Sequence, residues 1–318
     1  MPELVHLAIP AFIALMVLEA VVSVVHARRE AREEGGGAPK GYAPRDTAAS
    51  LAMGVGNVVI NLATKGGRLA IFTALYQYRV FDLGSALGSG ALLFAVALVV
   101  EDFVYYWNHR FGHEVRFFWA AHVTHHSSQH YNLSTALRQT WTGWFTHLFF
   151  YWPLPLLGFD PMLLLSVGSV NLLYQFWIHT EYLDRMPRWF EAVFNTPSHH
   201  RVHHGTNVEY LDRNHAGIFI VWDRLFGTFE PEVAPPSYGL TKNLERHDPF
   251  TIAFHEWIAM ARDVARAGTW RERIGYLLGP PGWSPDGSTR TARQMRAALE
   301  RPEPGDASEL GAGASAAA

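Results

Sequence analysis

The sequence predicts an all-α integral membrane protein, with about four to five membrane-spanning or re-entrant helices and a cytosolic, His-rich helical cap. Three observations lead there. Apolar blocks of membrane-spanning length recur along the chain, the histidines gather just beyond those blocks, and the spacing of the histidines is helical. Of the 318 residues 49% are hydrophobic and only 17% charged, against roughly 25% charged in an ordinary soluble domain. The mean hydropathy near zero averages apolar blocks with a polar, His-rich second half.

The first block, Leu4 to Val25, has about the ~20 residues that cross a bilayer as a helix, and its polar side chains are His6, Glu19 and Ser23. Without a basic leader or a small-residue cleavage site it reads as an anchor. Arg28, Arg29 and Arg32, then Lys40 and Arg45, follow it, which places that side in the cytosol by the positive-inside rule. Glu34 to Pro44, with three consecutive glycines, reads as a linker or turn.

Ser50 to Tyr76 is a weaker stretch, interrupted by Lys65, Gly66, Gly67 and Arg68. Leu83 to Val100 contains no charge and is expected to be one span, with a helix-packing G-x-x-x-G at Gly84 and Gly88. Trp141–Leu157 and Pro161–Ile178 form a second pair joined at Gly158-Phe159-Asp160, and Pro153 and Pro155 bend its first member. One span followed by two hairpins leaves both His-rich regions on the side of the first basic cluster. Beyond Ile178, Ile218–Phe226 and the amphipathic Phe250–Ala265 are expected at the interface, and Arg301–Ala318 as a disordered tail.

Composition removes several function classes. A formal net charge of −3 gives no footprint for nucleic acid. The absence of cysteine rules out disulfides, iron–sulfur clusters, thiolate zinc sites and a cysteine nucleophile. Any metal chemistry must use imidazole and carboxylate.

The 17 histidines supply the imidazole. His109 and His113 stand at i, i+4 on the helix that continues the 83–100 run, so they share a face. His122, His125 and His126 form an H-x-x-H-H, and His200, His203 and His204 repeat it. His179 follows the fifth apolar stretch. Nine ligands exceed the four of a structural zinc and suit two metals of coordination number five or six. Imidazole accepts zinc, copper, iron or nickel, so ligand type leaves the metal open. His199 is an alternative to His200, which completes the repeat. His130 and His215 lie off the spacing. His147 sits in an apolar stretch, where ionisable groups are costly.

Carboxylates commonly orient metal-bound imidazoles through the second ring nitrogen. Asp102 and Glu114 are the favoured candidates for such a catalytic role, with Glu181 and Asp212 behind them. Arg138 and Arg201 are expected to meet lipid phosphate or to pair with these acids. Tyr105, Tyr106, Trp107, Phe117, Phe118 and Trp119 read as interface belt and core. No H-E-x-x-H is present, which argues against a zinc protease. A His-rich metal transporter is the reading from another class, although its sites belong within the spans.

At these boxes the chain resembles the fatty acid hydroxylase / sterol desaturase superfamily. The likeness extends through Trp119–Gln139, Leu173–Glu181, Asn195–Gly205, Ala216-Gly217 and Trp222–Glu230. Those connecting strings are similar to its ether-lipid-cleaving, tetrahydrobiopterin-dependent branch. The resemblance implies a catalytic domain over 50–283, between an anchor and linker (1–49) and a tail (284–318). It also implies two irons per chain, a lipid substrate drawn from the bilayer, O2, and an electron donor that is tetrahydrobiopterin or a reductase. The activity it implies is monooxygenation of the ether-linked carbon of alkylglycerols. Within the superfamily the alternative is a sterol, carotenoid or fatty-acid hydroxylase or desaturase with another donor.

Overall fold

The computed structural model describes residues 4–30, 41–88 and 90–300. Among them the regular elements are helical, with one isolated antiparallel bridge between Gly205 and Tyr238. Helix α1 (Leu4–Glu30) leaves Leu7, Ile13, Val17, Leu18 and Val21 exposed, a surface that lipid solvates and water does not. Residues 7–26 of α1, together with α2 (Pro44–Tyr76) and α4 (Ala91–Glu114), are long and apolar enough to cross a membrane.

Two expectations need correction here. Lys65-Gly66-Gly67-Arg68 does not interrupt α2, which runs unbroken for 33 residues. In an apolar medium an open backbone hydrogen bond costs several kcal/mol, more than the ~1 kcal/mol penalty of a helical glycine. Conversely, the 83–100 run is not one helix. Short α3 (Leu83–Leu87) is capped by the Asp82 carboxylate, which accepts from Ser85 N, and it ends at Gly88 with φ 74° before α4 begins. Gly84 and Gly88 therefore share no continuous helix face, and the G-x-x-x-G packs nothing.

Val115 alone separates α4 from α5 (Arg116–His126). Its extended backbone (φ −126°, ψ 120°) ends one helix and starts the next, so α5 folds back onto α4. A 3-10 turn, Thr135–Leu137, leads to α6 (Gly143–Tyr151) and α7 (Pro153–Leu157), split at Trp152 as the prolines require. Gly158 has φ 103°, and a Cβ there would lie 2.2 Å from the Phe81 carbonyl. The Asp160 carboxylate caps α8 (Pro161–Trp177) by accepting from Met162 N and Leu163 N. Phe72, Ala97, Tyr151, Leu154, Phe159, Leu164 and Val167 join α2, α4, α6, α7 and α8 in one apolar core.

The cap follows. It consists of α9 (Arg188–Val193), α10 (Pro197–His203), α11 (Val221–Phe226), amphipathic α12 (Pro249–Arg266), α13 (Trp270–Leu278) and α14 (Ala292–Glu300). Ile252 and Ala253 of α12 pack on Ala49 and Met53 at the start of α2. α14 falls inside the segment expected as tail. Most of the expected linker, at 31–40, and the tail at 301–318 lie outside the described residues.

Candidate metal centre

Four chain segments converge at the cap end of α4. Helix α4 contributes His109 and His113, and α5 contributes His122, His125 and His126. His179 follows α8, and α10 with its C-cap contributes His200, His203 and His204. These nine imidazoles fall into two groups. One is His109, His113, His122, His126 and His203; the other is His125, His179, His200 and His204. Within each group the candidate ligand atoms all lie within 4.8 Å of one another. Two nitrogens on opposite sides of one ion, at bonds of about 2.1 Å, are about 4.2 Å apart. The groups adjoin, with the His126 and His204 rings stacked at 4.4 Å.

The hydrogen bonds assign the ring protons. His109 Nδ1 faces the His215 carbonyl at 2.7 Å, His179 Nδ1 faces Gln175 O at 2.7 Å, and His203 Nδ1 faces Arg213 O at 2.9 Å. His125 Nδ1 faces Arg138 O at 3.3 Å. A carbonyl only accepts, so each Nδ1 carries the proton and each Nε2 turns a lone pair inward. Those Nε2 atoms then crowd together: His125 on His179 at 3.2 Å, His179 on His200 at 3.0 Å, and His109 on His122 at 2.9 Å. His113, His203 and His204 each leave a buried Nε2 without a partner. In the His125–His179 pair both protons are committed elsewhere, so two lone pairs confront each other. A cation between them removes the repulsion. The donor set fits two imidazole-liganded metal ions.

Burial holds the rings in the ligand-competent form. Desolvation, reinforced by neighbouring imidazoles, pulls His122, His126, His200, His203 and His204 well below the ordinary histidine pKa, and burial brings His125 to about 4.

The carboxylates behave differently from expectation. Asp102 touches no box imidazole. Fully buried, it accepts from Ile218 N (2.7 Å), Phe219 N (3.0 Å), Trp222 Nε1 (2.9 Å) and Asn171 Nδ2 (3.1 Å). It thus clasps the loop whose His215 carbonyl holds His109. Asp223 clasps the same loop, accepting from His215 N and Ala216 N at 2.8 Å each. Glu114 lies at the surface paired with Arg110 at 2.9 Å, an i, i+4 bridge, and meets none of the imidazoles. Asp212 does approach one, at 3.6 Å from His113 Nδ1. Glu181 lies near enough to Tyr131 and Tyr238 to act on them electrostatically.

Arg138 and Arg201 are buried and used internally, Arg138 on Asp46 at 2.7 Å and Arg201 on Glu232 at 2.7 Å. Neither presents its charge to lipid phosphate. His200 faces the second group, whereas His199 turns to Phe229. His215 escaped the spacing rule, yet it is fully buried, rests against His109, His113 and His203, and leaves both ring nitrogens unpartnered. His147 stacks on Tyr151 at 3.8 Å and belongs to neither group.

A cavity of about 730 Å³ opens beneath the imidazoles, walled by α1, α2, α4, α6 and α8. Phe12, Ile13 and Met16 of α1 and Phe176 of α8 give it an apolar side, while His109, His122, His125 and His179 close one end. Its volume lies within the roughly 300–1,000 Å³ usual for small-molecule sites.

Two adjoining imidazole groups thus stand at the end of a largely apolar cavity. A fatty acid hydroxylase family model matches residues 94–228, which contain all nine box histidines and both clasping aspartates. Over this segment the chain is similar to the fatty acid hydroxylase family. Human alkylglycerol monooxygenase is 39% identical over 286 residues, covering 89% of this chain and 61% of that protein. The zebrafish alkylglycerol monooxygenase is 36% identical over 284 residues, 89% of this chain and 60% of its own. An ornithine lipid hydroxylase of Rhizobium tropici is 29% identical over 143 residues, 45% of this chain and 43% of that one. The chain thus spans about 60% of the length of the alkylglycerol monooxygenases it matches. No solved structure matches it.

Proposed function

We propose that the chain is a membrane-bound monooxygenase that oxidises the ether-linked carbon of a 1-O-alkylglycerol. Iron, two ions per chain, is held by the two histidine groups. The observation that carries this reading is the convergence of inward-turned Nε2 lone pairs at the end of a largely apolar cavity set among membrane-spanning helices. The fatty acid hydroxylase family and the named relatives support iron and a lipid ether over other imidazole-binding metals and substrates. When bound, the iron supplies the redox chemistry that couples reduction of O2 to oxidation of a C–H bond.

The protein's own residues do the rest. Backbone carbonyls of His215, Gln175 and Arg213 fix ring orientation and tautomer, so the donor set is organised before substrate arrives. The α1 and α8 side chains Phe12, Ile13, Met16 and Phe176 receive the alkyl chain and keep water from it. One oxygen atom of O2 enters the C–H bond next to the ether oxygen. The other leaves as water, with two electrons and two protons supplied from outside. The resulting hemiacetal collapses to a fatty aldehyde and glycerol. A tetrahydrobiopterin is the two-electron donor we favour, with a reductase as the alternative. The basic cluster after the first span favours a cytosolic metal centre.

The test is incubation of the purified protein with 1-O-hexadecylglycerol, O2 and tetrahydrobiopterin. Stoichiometric fatty aldehyde supports the reading. Oxidation of a different lipid without aldehyde release, the outcome that the ornithine lipid hydroxylase likeness would favour, overturns it.

A further inference from the structure

The cavity has a polar wall as well as an apolar one, and that wall is built in register. On α4, Glu101, Tyr105 and His109 stand at i, i+4, i+8, a single stripe of the helix. Facing them, Asn171, Gln175 and His179 repeat the same spacing along and just past α8. All six line the cavity. The stripes are tied rung by rung. Asn171 Nδ2 donates to Glu101 Oε2 at 2.8 Å, and Tyr105 OH donates to Gln175 Oε1 at 2.7 Å. Gln175 Nε2 donates along its own stripe to Asn171 Oδ1 at 2.6 Å. The last rung is His109 and His179, one member of each imidazole group. At 1.5 Å per residue, the Tyr105–Gln175 rung is about 6 Å and the Glu101–Asn171 rung about 12 Å from the imidazoles.

Such a wall is costly in a membrane. A carboxyl on a spanning helix, with two amides on the helix packed against it, is tolerated where these groups serve a site, and helix–helix adhesion alone does not call for a row of them along a cavity. We propose that the Tyr105–Gln175 and Glu101–Asn171 rungs are a headgroup subsite that hydrogen-bonds the hydroxyls of an uncharged, hydroxylated lipid and thereby sets its reactive carbon between the two imidazole groups. The proposal rests on the function proposed above and names the residues that select its substrate. The chemistry of the wall decides the class of ligand. Its donors and acceptors are a phenol, a carboxyl and two amides, with no cation among them, and Arg68, also on the lining, belongs to α2, where it donates to Asn61 Oδ1 at 2.9 Å. An anionic headgroup would find no cation on this wall to pair with. Hydroxyls find acceptors at Tyr105 and Glu101 and a donor in the second N–H of Gln175, the first being committed to Asn171. Hydroxyls a few bonds from the oxidised carbon reach the nearer rung when that carbon lies beside the imidazoles.

The experiment measures binding, so that it does not depend on turnover. Iron-loaded full-length protein in nanodiscs, kept free of oxygen, is titrated with 1-O-hexadecylglycerol, with hexadecyl methyl ether, and with 1-O-hexadecylglycerol 3-phosphate. The wild type should bind the diol tighter than either of the others by about tenfold or more, the worth of one good hydrogen bond. Tyr105→Phe and Glu101→Gln should each narrow the preference for diol over methyl ether by about tenfold. Tyr105→Phe removes a single oxygen atom, and iron content verifies the fold of both variants. A wild type without diol preference, or a preference unchanged in the variants that retain iron, overturns the proposal. Diol preference without aldehyde formation under O2 and reductant would sink the proposed reaction and leave the subsite standing. Aldehyde formation with flat binding would do the reverse.

Discussion

Asp102→Asn separates a clasp from a catalytic carboxylate. The aspartate accepts four hydrogen bonds, from two backbone amides, the Trp222 indole and Asn171, while buried to 0% exposure. Asparagine keeps the shape but only one acceptor oxygen, so its NH2 group must face at least two of those donors. Each buried donor left unpaired costs about 1–3 kcal/mol, which gives a loss of about 2–6 kcal/mol. At about 2–4 °C per kcal/mol, the figure for domains of about 150–250 residues, Tm should fall by about 4–24 °C. Because the same loop delivers the His215 carbonyl to His109, iron content should fall with it. The assay is intrinsic-fluorescence thermal unfolding in detergent with metal analysis on the same sample. A variant with wild-type Tm and iron but no turnover would refute the clasp and give Asp102 a direct part in the reaction.

Other expectations follow from the same geometry. His126→Ala and His204→Ala each damage one group and spare the other, so each should lower iron by up to half, read by elemental analysis; full iron in both would remove these residues from the site. Glu114→Gln should leave iron content and Tm nearly unchanged, since it breaks only a surface pair with Arg110 worth about 0–1 kcal/mol; a large loss of iron would contradict that. Gly217→Ala brings a Cβ to 2.6 Å from Asn171 Oδ1 and 2.7 Å from Asp102 Oδ1, and this overpacking should cost about 1–3 kcal/mol in thermal unfolding. Metal-free protein should lose stability as pH falls. The buried imidazoles lie well below their unfolded value near 6.5, so the unfolded chain takes up protons first. Their contribution is intact above about pH 6.5 and lost below it. A flat Tm from pH 7.5 to 5.5 in the metal-free protein would refute this.

The nine imidazoles were legible because their information is local. Positions i, i+3 and i+4 share a helix face whatever the tertiary fold, and apolar runs of ~20 residues announce the spans that bring the boxes together. What failed was non-local. Asp102 lies two turns before His109 and reads as its orienting partner. Its actual partners, Ile218, Phe219 and Trp222, are 116 to 120 residues away. Glu114 adjoins His113 in sequence, yet at the last residue of α4 it projects to the surface. Backbone carbonyls orient His109, His125, His179 and His203, and no side-chain pattern announces a carbonyl. The break before α4 was obscured because Gly88 and its neighbours kept the run free of charge, while φ 74° at Gly88 ended the helix. Glu101 stands directly after the uncharged 83–100 run, and its partner Asn171 is 70 residues away.

The central claim is that the two histidine groups each hold an iron ion. Mössbauer spectroscopy with elemental analysis, on protein purified without oxygen and loaded with isotopically enriched iron, tests it directly. Two irons per chain with magnetically coupled, nitrogen-rich signatures are expected. A single zinc per chain, with iron absent after loading, would contradict the account.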